Sequence, residues 1–373
     1  MVILLAQLVI CTGCWDAKDI GELGLPIIGG YDVPDPVKDK KEKDARVVIT
    51  ALLPNLDPKA KEEVRVERVA ARTVGETREK RNRFDPDFFT VSSLQAAVIG
   101  EELAKRGVFG NVIDLDLVYR DPKIKHTMYL AIVEGRADEL LQVKVKDYGN
   151  LGVYLLELLR RAGKKSFIPS TTLFMFGVNS MGPGENPVVP LIKVQGKDRV
   201  SITGVGIFKK DKLIAKARFR DTRALMLLRG LKTSGQIPFI LQKNGQVLDR
   251  GTVNVSNSRK VKVEKKGDQF HYFVTINLQG KLLEHYSEES FLKRENLLKD
   301  IEKAVESELT RDCRTFISKM QQEFGVDCID VTDHALSKWR YEVQEIIDSE
   351  EFVKSVKIDV KVKVNLENVG DRT

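Results

Sequence analysis

The sequence contains few of the residues that enzymes most often use for chemistry. Its 373 residues include four histidines and four cysteines, and no two histidines have the spacing that places metal ligands on one helix face. The metalloprotease pattern HExxH and the nucleophile turn G-x-S-x-G are both missing. We therefore interpret the protein as a non-enzyme, with no catalytic residue, no metal site and no cofactor.

Glycine-rich phosphate loops are also missing. In GKKS (163–166), Leu158 stands where such a loop needs its first glycine, and Lys165 stands where it needs Ser or Thr. The segment GPGENP (182–187) has no strand-to-helix context and is predicted to be a plain loop. Two pairs of neighbouring acids are typical of turns and surfaces rather than of an acid–base site: Asp85 with Asp87, and Asp114 with Asp116.

Long apolar runs are missing except near the N-terminus, in residues 2–11 (VILLAQLVIC). Ten helical residues rise about 15 Å, half of the roughly 30 Å bilayer core, so this run cannot span a membrane. It has the length of the apolar region of a secretory signal, and small residues follow it. No Lys or Arg precedes it, so we expect either a translation start further upstream or a trimmed segment. A buried N-terminal strand or helix is the alternative.

Cys14, three residues after this apolar run, is the one candidate site residue. Cys11-Thr12-Gly13 resembles the small-residue box of a lipoprotein signal, although Leu is more usual than Cys at its first position. This pattern predicts a signal peptide over residues 1–13 and a diacylglycerol anchor on Cys14. Two acyl chains give stable membrane attachment where one is marginal. The alternative is that Cys14 is a buried or stray thiol.

An excess of positive charge does not indicate nucleic-acid binding here. The net charge is +7, but the basic residues are interleaved with acids, as in VKVEKKGD (261–268), and no aromatic set accompanies them. An exported chain would also not meet nucleic acid. A mild basic excess favours anionic neighbours such as lipid headgroups or wall polymers.

Hydrophobic periodicity predicts two domains. Strands alternate with short helices in the first half, which we interpret as an α/β domain over residues 14–192, with two subdomains as a further option. Within it, the apolar run 46–56 predicts a buried strand, and 150–165 predicts a helix with Asn150 as its cap. The second half, residues 193–373, is predicted to be an α+β domain: an antiparallel sheet with long helices on one face. The expected fold class is α+β, multidomain, with mixed sheets flanked by helices.

The second-half elements are predicted as a hairpin at 200–219, a helix at 221–231 with Asp221 as its cap, turns at Asn244-Gly245 and Gly267, helices at 291–324 and 333–348, and a strand at 356–366.

The other two cysteines leave two possibilities open. If oxidised, Cys313 and Cys328 would close a loop stabilising the fold by about 3 kcal/mol. However, Cys313 lies on the apolar stripe of its predicted helix, which favours a free buried thiol.

Four motifs carry a family resemblance: GCWD (13–16), IGEELAKRGVF (99–109) with the later Arg120-Asp121 pair, GVGIFKKDKLIAKARFRDTRALMLLRGL (204–231) and VKIDVKVKVNLENVG (356–370). Together they resemble the C-subunit lipoproteins of bacterial spore nutrient germinant receptors, the GerAC-type family. The stretch RNRFDPDFF (81–89) departs from it and looks shorter than the helical region expected there.

The resemblance implies a non-catalytic subunit needed for nutrient-triggered spore germination. The implied partners are a membrane A subunit and a transporter-like B subunit in the inner spore membrane. The implied location is the outer face of that membrane, with the lipid on Cys14 as the tether. A free-standing solute-binding lipoprotein is the alternative function.

Overall fold

The computed structural model describes residues 22–55, 59–109, 121–145, 148–165, 168–231, 234–243, 245–286 and 296–367. Most of the first half of these residues builds one eight-stranded sheet, in the order β10-β9-β8-β7-β6-β2-β3-β4. A small separate pair, β1 (Leu23–Gly24) with β5 (Phe88–Phe89), lies beside it in parallel. The strands of the large sheet are β2 (Ile28–Asp32), β3 (Val47–Pro54), β4 (Val64–Ala71), β6 (Ala96–Gly100), β7 (Tyr129–Val133), β8 (Val188–Gln195), β9 (Arg199–Lys209) and β10 (Lys212–Ala217).

Four parallel strands, β2, β6, β7 and β8, occupy the centre of this sheet, and antiparallel strands complete both sides. The central strands are apolar on both faces, as strands of a covered parallel sheet must be; all five residues of β6 are buried. Helices cover the two faces and form two separate cores. These helices are α1 (Val74–Arg81), α2 (Glu101–Arg106), α3 (Ala137–Leu140), α4 (Leu151–Lys165) and α5 (Leu173–Met181).

The second sheet has four strands in the order β11-β12-β13-β14. One face is covered by α6, which precedes β11, and by three helices that lie between β13 and β14 in the chain; polar side chains line the other face. Alternation of buried and exposed residues along β12, β13 and β14 produces this one-sided burial. The elements are α6 (Arg220–Arg229), β11 (Ser234–Lys243), β12 (Gln246–Lys266), β13 (Gln269–His285), α7 (Leu297–Lys319, continued as a π-helix to Phe324), α8 (Asp333–Val343), α9 (Glu350–Ser355) and β14 (Lys357–Glu367).

The α+β class is confirmed, with two differences in detail. The second sheet is not wholly antiparallel, because the connection through α7, α8 and α9 brings β14 back parallel to β13. The predicted second-half hairpin, β9 with β10, belongs to the first sheet, where β9 pairs with β8. The division expected at 192/193 therefore falls within β8.

Several local predictions have clear outcomes. Asn150 caps α4, accepting from the backbone N–H of Gly152 at 2.9 Å. Asp221 does not cap α6, since that helix begins at Arg220; its carboxylate instead pairs with Lys319 at 2.8 Å. β4, α1 and α5 were not predicted from the sequence. Cys313 and Cys328 are free and buried, and burial raises the pKa of the Cys313 thiol to about 12.

Candidate functional site: the junction between the two sheets

The predicted lipid acceptor Cys14 lies outside the described residues, as do Asp114 and Asp116. Asp85 is buried rather than on the surface, and Asp85 and Asp87 both pair with Arg65. Within the described ranges, no helix is long and apolar enough to cross a bilayer. The same ranges contain no group of three or more His, Cys, Asp or Glu side chains suited to hold a metal ion.

A set of buried polar contacts lies where the two sheets meet, and Arg229 is at its centre. Its side chain is only 3% exposed, and its Nε pairs with Asp330 at 2.8 Å. Nη1 donates to the backbone carbonyls of Asn186 (3.1 Å) and Cys328 (3.0 Å). The side-chain oxygen of Asn179 accepts from Nη2 at 2.7 Å, in the amide orientation that also lets its nitrogen donate to the carbonyl of Met175. One guanidinium therefore joins α5 and the following loop to a loop of the second half.

Asp327 organises the loop on the second-half side of the junction. Its carboxylate accepts from the backbone N–H groups of Ile329, Val331 and Thr332 at 2.7–2.9 Å and from the Thr332 hydroxyl at 2.9 Å. Four donors offset the cost of burying this charge. The Asn186 amide donates to the backbone carbonyl of Asp327 at 3.0 Å. The ordered loop thus presents a fixed acceptor to the first half.

The glycine-rich loop 182–187 supplies the first-half side of the junction. The Gly184 N–H donates to Asp348 at 2.8 Å, and the other oxygen of that carboxylate pairs with Lys210 at 2.8 Å. The carbonyl of Gly184 accepts from the Thr332 hydroxyl at 3.3 Å. Because Gly184 has φ +74°, its backbone can approach the second half closely. The loop is a connector between the two halves, which the prediction of a plain loop did not capture.

Several acidic side chains lie close together at this junction. Burial raises the pKa of Asp330 to about 6 and that of Asp333 to about 7, with further repulsion between neighbouring carboxylates such as Glu185 and Asp327. Arg259 lies close by and donates to backbone carbonyls at 2.6 and 2.7 Å; its burial lowers the pKa of its guanidinium. Asp333 is therefore partly protonated near neutral pH.

A cleft of about 460 Å³ opens beside Arg229, between first-half and second-half elements. This volume is in the range of small-molecule sites, and its wall mixes apolar side chains with a few polar groups. Among the described residues its wall holds no histidine and no nucleophile paired with a base. It is lined by Gly163, Ile168, Pro169, Ser170, Thr171, Met175, Asn179, Glu185, Pro187, Val188, Met226, Arg229, Leu231 and Asp330.

The junction residues were missed in the sequence because they are scattered between residues 179 and 348. One local signal was present: acids recur every third residue at Asp327, Asp330 and Asp333. That spacing is compatible with a turn-rich loop whose carboxylates bind nearby N–H groups. Nothing local marks Arg229 as buried, since it occurs at the end of a helix, where basic residues are common.

The fold and this junction define an α+β protein built from two sheets joined by a buried polar contact. Two family profiles match successive parts of the chain: "Spore germination protein N-terminal domain" over residues 16–194, and "Spore germination B3/ GerAC like, C-terminal" over residues 203–370. The chain belongs to the GerAC family of spore germination proteins, which confirms the resemblance noted in the sequence.

Individual relatives agree along most of the chain. Spore germination protein GerQC of Bacillus cereus is 21% identical over 320 residues, 85% of each chain. Spore germination protein B3 of Bacillus subtilis (strain 168) is 25% identical over 356 residues, covering 89% of this chain and 87% of the relative. The crystal structure of the GerBC protein matches the fold with a TM-score of 0.59 at 17% identity, over 86% of this chain and 94% of that one.

Proposed function

We propose that this chain is the membrane-anchored C subunit of a spore nutrient germinant receptor and acts without catalysis. It binds the receptor's A and B membrane subunits and holds them in an assembly that responds to nutrients. Membership of a spore germination family over both halves of the chain supports this role. So does the junction, whose chemistry suits a rigid binding body.

The observation that carries the proposal is the position of Cys14. The N-terminal family profile begins at residue 16, two residues after the candidate lipid acceptor, and this start is compatible with removal of residues 1–13 as a signal. Leu23, where β1 begins, lies nine positions after Cys14, and a chain of that length spans at most about 30 Å. An anchor at Cys14 would therefore keep the folded body against the outer face of the inner spore membrane. Confinement near the membrane raises the effective concentration of its partners.

The experiment is mass spectrometry of the mature N-terminus together with a Cys14→Ala variant in a spore-forming host. We expect a chain that begins at Cys14 and carries diacylglycerol. The variant should move to the soluble fraction and slow nutrient germination. Cys11→Leu is the matched control, because it removes the neighbouring thiol and puts the more usual residue at the first position of the box, so membrane attachment should be unchanged.

An unmodified Cys14 contradicts the proposal. So does a Cys14→Ala variant that stays on the membrane and germinates at the normal rate. Release from the membrane with normal germination would separate the two parts, supporting the anchor and opposing the receptor role.

A further inference from the structure

The outer edge of β14 is capped at one end by glutamates. The backbone N–H groups of Val364 and Leu366 donate to Glu306 and Glu302 of α7 at 2.8 and 2.7 Å. In a parallel strand the backbone groups of every second residue point to the same side. The N–H and C=O groups of Ile358, Val360 and Val362 therefore also point outward, away from β13.

The helix beside this edge explains why only part of it is capped. Glu302, Glu306, Thr310 and Arg314 are spaced by four residues and so form one row along α7. The two glutamates cap the C-terminal end of β14. Just before the N-terminal end of β14, Gln321 donates to the carbonyl of Val356 at 2.8 Å. Between these two ends, Thr310 and Arg314 of the same row face the strand edge without a hydrogen bond to it among the described residues.

The central part of the edge is correspondingly open. No described residue forms a hydrogen bond with the outward N–H of Ile358, Val360 or Val362. Unpaired edge groups of this kind readily pair with another extended chain, and proteins usually cover them or guard them with charge. Here a groove of about 520 Å³ runs between the strand and the helix, lined by Lys303, Glu306, Ser307, Thr310, Arg311, Arg314, Thr315, Lys361 and Val362.

The groove is strongly cationic. Lys303, Arg311, Arg314 and Lys361 are all exposed, and none has an ion-pair partner among the described residues. The single acid in the wall, Glu306, is already used by the Val364 N–H. Four basic side chains thus surround a short length of open strand edge.

We propose that this groove binds a short, extended, acidic segment of a partner protein, which adds to the sheet as a strand along Ile358–Val362. Main-chain hydrogen bonds would supply affinity, as in other cases of strand addition. Carboxylates on the incoming segment would pair with Arg311 and Arg314, whose planar guanidinium groups suit carboxylates. The glutamate caps and Gln321 limit the segment to a few residues. The proposal concerns a protein contact and holds with or without the lipid anchor.

The test is binding of a blocked acidic peptide, TEVEVET, to the full chain in detergent, with the basic peptide TKVKVKT as comparison. We expect a dissociation constant of about 100 μM for the acidic peptide, which weakens about tenfold in Arg311→Glu/Arg314→Glu. The matched control is Lys260→Glu/Lys281→Glu, which makes the same charge change on the open face of the same sheet. It should bind the acidic peptide within twofold of the wild type.

Amide exchange followed by NMR gives a second, independent readout. In the free protein the amides of Ile358, Val360 and Val362 should exchange at least about tenfold faster than those of Val364 and Leu366, because the latter two are hydrogen-bonded. The acidic peptide should slow the three fast amides.

Three outcomes overturn the proposal. The first is equal or undetectable binding of the two peptides at millimolar concentration. The second is equal protection of all five amides in the free protein. The third is a larger response of these amides to dihexanoyl phosphatidylglycerol than to the acidic peptide, which would make the groove a lipid headgroup site.

Discussion

Arg229 shows how a single residue can connect two halves of a chain. All three of its nitrogens are used, by acceptors that come from α5, from the loop after it and from the 327–330 loop. A buried charge with a full set of partners costs little, but removing one side of such a set leaves the others unpaired. Arg229 therefore contributes to stability mainly by donating hydrogen bonds to buried acceptors that would otherwise have no partner.

Replacing Arg229 with Met should destabilise the protein by about 3–5 kcal/mol, because it leaves Asp330 charged without its partner and orphans two backbone carbonyls. Urea denaturation followed by circular dichroism measures this loss. Arg220→Met on the same helix is the control: its side chain is 70% exposed and lies 3.9 Å from Glu308, so the change should stay within about 0.5 kcal/mol. Equal effects of the two variants would contradict the role assigned to Arg229.

At the scale of elements, the loop between α5 and β8 determines how closely the two sheets approach. Its glycine at 184 has both a positive φ and close neighbours: a Cβ there would lie 2.8 Å from Ile347 Cδ1 and 3.1 Å from Asp333 Oδ1. The turn that ends β8 offers a useful contrast. Gly196 has φ +65°, but a Cβ there would have no atom within 4 Å.

Gly184→Ala should therefore cost about 2–3 kcal/mol, combining backbone strain with a clash. Gly196→Ala should cost about 1 kcal/mol, from the backbone conformation alone. Thermal denaturation of both variants beside the wild type measures the difference. If Gly196→Ala destabilises as much as Gly184→Ala, close packing of the 182–187 loop on the second half is not important for stability.

For the whole molecule, the buried acids make the free energy of unfolding depend on pH. Burial raises the pKa of Asp333 to about 7, well above its value in the unfolded chain, so the folded state holds a proton that the unfolded state has released. Stability contributed by this group is fully present below about pH 4 and is lost as the pH rises to about 7.

Asp333→Asn mimics the protonated carboxyl and should remove this part of the pH dependence. We expect the variant to be more stable than the wild type by about 1–2 kcal/mol at pH 8, with the difference vanishing near pH 4. Urea titrations at both pH values test this. Glu345→Gln, at an exposed position just after α8, should follow the wild-type profile. If the free energy of unfolding changes between pH 4 and pH 8 by the same amount in Asp333→Asn as in the wild type, Asp333 is not the source of this pH dependence.

Elements whose cause is local could be predicted from the amino-acid pattern alone. The apolar run of β3, the capped helix α4 and the alternating β14 were all evident, because burial of one or two faces imposes a periodicity on the chain. The family resemblance was likewise readable from short motifs. The predicted anchor at Cys14 also rests on sequence alone and stays a prediction.

Which elements share a sheet, and which polar residues meet, depends on long-range packing. The β9–β10 hairpin has the same alternating pattern in either sheet, so nothing within it specified β8 as its neighbour. The parallel return of β14 depends on the path of α7, α8 and α9. Arg229, Asn186 and Asp327 come together because distant loops pack against each other, and such long-range contacts leave no periodic trace in the chain.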